Sequence, residues 1–206
     1  MNSELQAYIE AEILPRYDHF DAAHQRPHVL MVIRESMELA TQLPVNPDMV
    51  FCIAAYHDVG LSEGRDTHHV ASARIIRSDQ RLRQWFSEQQ IEVMADAAED
   101  HRASARHAPR TIYGRIVAEA DRYIQADEII RRTIQFGLDH YPELPREQHF
   151  QRTLQHLREK YGRTGYLRLW FPHSPNAERL QQLRQIIDDE TQVREFFDKF
   201  FPQGKD

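Results

Sequence analysis

The chain has 206 residues, 41% of them hydrophobic and 28% charged, with a formal net charge of −6 and one cysteine. That length holds one well-buried core and is short for two full domains, and an acidic balance with dispersed Lys and Arg leaves no nucleic-acid footprint. A lone Cys52 rules out an intrachain disulfide, as fits a reducing compartment. No run is long and apolar enough to span a bilayer. The amino-terminal MNSELQAYIEAEILPRY carries acids where a signal peptide would be apolar, so a soluble, cytoplasmic protein without membrane contact is expected.

Seven glycines, few alternating Val-rich runs and recurrent 3.6-residue periodicity predict an all-α fold. Ser3 with Gln6 has the pattern of a capping box for a first helix to about Pro15. Pro27 suits the first turn of a second helix, His28 to about Gln42. Asn46 and Pro47 open a third helix, with Gly60 as its stop. Thr67 is placed to cap a fourth, containing HHVASARII, and Ser87 with Gln90 opens a fifth to about His101. A long helical region starts near Arg110 and is expected to break near Gly137. Pro142 and Pro145 punctuate the chain before REQHFQRTLQHLREKYG, and a last helix spans about Asn176 to Phe201. No repeat or linker stands out, so one domain over 1–206 is expected.

The chemistry concentrates around AAYHDVGLSEGRDTHH, residues 54–69. On a helix His57 lies one turn beyond Ile53 and Asp58 one turn beyond Ala54, so both continue a buried-looking face. By itself this pair reads as a helix-end histidine favoured by the dipole plus a turn-capping aspartate. Asp121 changes the balance, because it lies inside the apolar stripe Ile116, Val117, Ala120, Ile124, and a buried carboxylate needs a partner. His28 opens its helix one turn before Met31 and Val32, so it too can point inward. Imidazole and carboxylate together suit a divalent transition metal (Mn, Fe, Ni, Co or Zn) and disfavour Ca²⁺.

The order His28 … His57-Asp58 … Asp121 resembles the His, His-Asp, Asp signature of the HD superfamily of metal-dependent phosphohydrolases. AHQRPHVLMVI is similar to that family's first-ligand helix, IAAYHDVG to its HD helix and IVAEADR to its closing helix. The resemblance covers about residues 20–130, an HD-domain-like helical bundle, and leaves a C-terminal helical extension of about 140–206. It implies that His28, His57, Asp58 and Asp121 hold one metal at the centre of the bundle. Some members hold a second ion through further histidines, with the aspartate of the pair bridging; His68 or His69, and His101, stand where those occur. The small pair Ser72-Ala73 favours His68, and His69 stays open; loop or phosphate-binding histidines in a one-metal enzyme are the alternative.

The resemblance implies metal-assisted hydrolysis of a small phosphorylated substrate, a nucleotide on family grounds, with Asp58 orienting the water. Glu63 is a candidate proton-transfer group, and Arg65 and Arg102 are candidate phosphate contacts. HDVGL departs from the HDxGK of the cyclic dinucleotide phosphodiesterases by placing Leu61 where the lysine belongs, and no GYP motif occurs. Two other functions fit the same residues: a di-iron oxygenase of the kind represented by the inositol oxygenases, and a non-catalytic nucleotide-binding module. The aromatic YGRTGYLRLWFPHSPNAERL suits core packing, a cover over the site or a homodimer interface.

Overall fold

A computed structural model describes residues 1–21, 24–102 and 107–202, and all the regular structure in it is helical. The chain divides into two compact units, Met1–Tyr123 and Ile124–Asp206. One domain over 1–206, with its core reaching about 130, is expected from the absence of a linker. The division between the units falls between α6 (Ile112–Asp121) and α7 (Ala126–His140), and Ile130 and Ile134 of α7 join the second apolar core. No helix of the described residues is long and apolar enough to cross a membrane.

In the first unit, α1 (Ser3–Tyr8) is capped by Asn2, whose side chain accepts the N–H groups of Glu4 and Leu5 at 3.0 and 3.1 Å. The cap is therefore not Ser3. The chain then widens to a π turn over Ile9–Ile13 and tightens to a 3₁₀ turn over Leu14–His19, since Pro15 has no N–H to continue an α-helical ladder. Helix α2 (Arg26–Ala40) carries Pro27 in its first turn. Helix α3 (Pro47–Tyr56) is buried at every residue from Met49 to Tyr56, as a helix apolar all round must be. Helix α4 (His68–Ser78) and α5 (Glu88–Asp100) follow, the latter opened by the reciprocal Ser87–Gln90 capping box. Thr67 occupies the cap position of α4 without a side-chain bond. Leu5, Ile9, Val32, Ile53, Ile76, Met94 and Val117, from six helices and the π turn, meet in one core.

Gly60 does not end α3, which stops at Tyr56. Its last carbonyls are taken by side chains: Ala54 accepts from His57 Nδ1 at 2.7 Å and Ala55 from the Tyr17 hydroxyl at 2.9 Å. Those bonds replace the next helical turn. Gly60 lies in the 3₁₀ turn that follows (Val59–Glu63), where a Cβ would sit 2.1 Å from the His68 carbonyl oxygen and 2.5 Å from the Ser72 nitrogen.

The second unit contains α7, α8 (Arg146–Tyr161), α9 (Pro175–Asp188) and α10 (Glu190–Phe200). Gly137 does not interrupt α7; its missing side chain leaves room for the Arg152 guanidinium. The expected single terminal helix is two, parted at Asp189, whose carboxylate accepts the Thr191 N–H at 3.0 Å. In the aromatic segment, Leu167 is buried, Tyr161 packs against the second core and Tyr166 is exposed. Core packing thus accounts for part of that cluster.

Candidate metal centre

Three histidines are held the same way. His57 follows α3, His101 follows α5 and His68 begins α4. The Nδ1 of each lies 2.6–2.7 Å from a main-chain carbonyl three residues earlier: Ala54, Ala98 and Arg65. A carbonyl only accepts, so each Nδ1 carries a proton, and Nε2, the nitrogen that the neutral ring has left for a ligand, is the one turned inward. Locking a ring through its far nitrogen is how metal-ligating histidines are oriented.

These Nε2 atoms converge on Asp58. Its Oδ2 lies 3.3 Å from His57 Nε2 and 3.6 Å from His28 Nε2; its Oδ1 lies 3.3 Å from His68 Nε2 and 3.4 Å from His101 Nε2. Within each pair the nitrogens nearly touch, at 3.3 Å for His28–His57 and 3.2 Å for His68–His101. Asp121 Oδ1 adds to the first pair, 3.2 Å from His28 Nε2 and 3.8 Å from His57 Nε2. Two groups, His28–His57–Asp58 and Asp58–His68–His101, thus have donor atoms close enough to hold an ion each.

The donor set fits a transition metal. With metal–ligand bonds of about 2.0–2.2 Å, neighbouring ligand atoms sit about 3.0–3.5 Å apart, the spacing seen here. With both rings neutral, two unprotonated nitrogens would face each other across 3.2 Å, lone pair against lone pair, unless an added proton or a cation lies between them. A cation removes that conflict, and imidazole with carboxylate suits Mn, Fe, Co, Ni or Zn.

Without a cation the charges are strongly coupled. Burial works to raise the Asp58 carboxyl, but His57, His101 and His28 around it hold it well below the usual range. Burial likewise opposes ionisation of Asp121, and the hydrogen bond from His28, with His57 and His101 nearby, brings it to about 2. His28 is pushed up to about 9: burial opposes the proton, and the Asp121 and Asp58 carboxylates outweigh burial. Burial lowers His68, with His101 adding to the effect.

Of the residues named from sequence, the structure brings His28, His57, Asp58, His68, His101 and Asp121 together and leaves others out. His69 does not face Asp58; its Nδ1 is buried without a hydrogen-bond partner. Adjacent helical residues point about 100° apart, so only one of the two can enter the cluster. Glu63 is exposed and its carboxylate pairs with Arg74; among the described contacts none joins it to the cluster. Arg65 is exposed, with Nη1 3.8 Å from Asp21 Oδ2, and its carbonyl anchors His68. Arg102 donates to the Asp66 carbonyl at 2.7 Å. Neither arginine touches a ligand atom of the cluster among the described contacts.

Sequence reasoning missed two supports of the His57-Asp58 turn. Tyr17, fully buried, donates to the Ala55 carbonyl and accepts the Asp58 N–H at 3.3 Å. Ser72 Oγ accepts the Gly60 N–H at 2.9 Å. Nothing in the sequence separates Tyr17 from an ordinary core tyrosine, whereas the small residues Ala71 and Ser72 do carry a signal, because the Ala71 Cβ and the Ser72 main chain pack against the Gly60 turn.

Residues 27–126 match the family model of the HD domain. This segment is an HD domain. The match begins just before His28 and ends just beyond Asp121, so it encloses every residue of the cluster. The HD domain belongs to a superfamily made up mostly of metal-dependent hydrolases. No curated protein and no solved structure gives a significant match to the chain.

Proposed function

We propose that this HD domain is a metal-dependent hydrolase of small phosphorylated molecules, nucleotides foremost, in which Asp58 would offer one oxygen to each of two ions. The observation that carries the reading is the pair of histidine couples, one on each Asp58 oxygen, with three of the four rings anchored through Nδ1. His28, His57, Asp58 and Asp121 would hold one ion, and Asp58, His68 and His101 the other. Bound divalent ions supply positive charge against the phosphoryl oxygens and acidify water near neutral pH. The chain's own part is to fix the ring directions, to hold Asp58 ionised and to keep the inner wall dry. With only one ion bound, Asp58 would instead accept a hydrogen bond from the attacking water and so orient it. Arg65 and Arg102 stand on the flanking loop and helix end as guanidinium partners for phosphate.

The same six side chains suit a di-iron oxygenase, and a metal that only organises a nucleotide pocket is a third use. Metal analysis of untreated protein, followed by turnover assays on phosphomonoesters and nucleotides, separates them. Phosphate release dependent on added Mn, Co, Ni or Zn supports the hydrolase. Two irons per chain with O₂-dependent turnover replaces it with the oxygenase, and tight nucleotide binding without turnover in any metal replaces it with the binding module. A protein that takes up no divalent ion ends all three.

A further inference from the structure

We infer that His24, oriented by Asp21, is the general acid that protonates the leaving group of the phosphoester; this rests on the hydrolase reading above. The cluster is unevenly buried. The side chains of His57, His101 and Asp58 are 0%, 3% and 5% exposed and that of His68 12%, whereas those of His28 and Asp121 are the most open at 17% and 22%. Substrate therefore reaches the ions past His28 and Asp121.

On that side stands His24, its ring edge-on to the His28 ring with centroids 5.7 Å apart. Its Nδ1 lies 2.8 Å from Asp21 Oδ1. A carboxylate only accepts, so the proton on that nitrogen is fixed, and Nε2 is left without a partner among the described residues. Asp21 is tied in turn: Arg65 Nη1 lies 3.8 Å from its Oδ2, and the Arg65 carbonyl holds His68. The loop carrying His24 is thereby linked to the loop carrying a ligand of the second histidine pair. A surface His–Asp pair three residues apart contributes little to stability. One set against a candidate metal-site histidine, with no partner at its outer nitrogen among the described residues, has the arrangement of a carboxylate-oriented proton donor.

The step balances without any further reagent. Water attacks phosphorus, the bond from phosphorus to the leaving oxygen breaks with its electron pair going to that oxygen, and the oxygen takes the Nε2 proton of His24. The proton lost by the attacking water passes to solvent, and solvent returns one to His24. Asp21 offsets the charge of the protonated imidazole.

The test uses the full chain with His24→Gln and Asp21→Asn, assayed on an alkyl phosphate and on p-nitrophenyl phosphate after bound metal has been measured. An alkoxide needs the proton; a nitrophenolate leaves without it. His24→Gln should cut alkyl phosphate turnover by about 10²–10⁴-fold, with a loss on the aryl ester smaller by about tenfold or more and metal content at the wild-type level. Asp21→Asn should show the same pattern at smaller amplitude. Equal losses on both esters, no loss on the alkyl ester, or loss of metal would each overturn the assignment. Wild-type protein that hydrolyses neither ester with any divalent ion would instead overturn the hydrolase reading, and the assignment with it.

Discussion

His68 Nε2 lies 3.2 Å from His101 Nε2, and each ring gives its Nδ1 proton to a carbonyl three residues back. Neither ring in its neutral form has a hydrogen to place between them, so the contact is stable only with a cation or an extra proton there. Substitution should therefore remove ions one site at a time. Wild-type protein loaded with Mn²⁺ or Zn²⁺ should hold about two ions per chain, His101→Ala about one, and Asp58→Ala close to none. Equilibrium dialysis with elemental analysis measures this, and far-UV circular dichroism should show the helices retained. Full loading of Asp58→Ala would contradict the bridging arrangement.

His68 and His69 are neighbours in sequence with different surroundings. His68 faces Asp58 and His101, while His69 Nδ1 meets no partner. His68→Ala should cost one ion, and His69→Ala should leave the metal stoichiometry at the wild-type value. Isothermal titration with Mn²⁺ on both variants decides it; the reverse pattern would move the ligand to His69.

Gly60 bears directly on the site. A Cβ at this position would lie 2.1 Å from the His68 carbonyl oxygen and 2.5 Å from the Ser72 nitrogen, both main-chain atoms that cannot rotate aside. Gly60→Ala should destabilise the fold by about 2–3 kcal/mol and, by pushing α4 away from the His57-Asp58 turn, weaken metal binding as well. Urea denaturation and metal titration read the two effects, and a variant with wild-type values for both would show the turn to be looser than the structure has it.

Tyr8 provides a pH signature outside the ligand set. Its hydroxyl donates to Asp79 Oδ2 at 2.6 Å, and burial, then that bond, push it up to about 12. Unfolded, a tyrosine releases its proton near 10. The folded state thus binds more protons between about pH 10 and 12, so this contribution is complete below 10 and is lost as pH rises to 12. Stability measured by urea midpoint should fall across that window, and Tyr8→Phe should make the fall shallower. Identical slopes in the two proteins would show that Tyr8 does not report on folding.

Much of the fold was legible because its signals are local. Asn46 with Pro47, Pro27 and the Ser87–Gln90 box each act through their own neighbours, and the structure uses them as written. Gly60 and Gly137 misled for the opposite reason. A glycine marks either a chain reversal or a close approach, and which one depends on what arrives from elsewhere: the main chain of α4 at Gly60, the Arg152 side chain at Gly137. The second compact unit was hidden likewise, since no linker announces it and only the mutual burial of α7 to α10 sets it apart.

For the site, the sequence alone supplied the residue types and their order: His28, His57-Asp58 and Asp121, each on an apolar helical face, which suffices for a metal and a family. Helical periodicity reports which residues turn inward, but not where a side chain several turns away will stop. That His68 rather than His69 enters, that Asp58 has one oxygen for each histidine pair, and that Arg74 claims Glu63 follow from how α4 packs on α5 and on the turn after α3. The carbonyl anchors on His57, His68 and His101 are local bonds, but only the tertiary structure aims the three free nitrogens at one carboxylate.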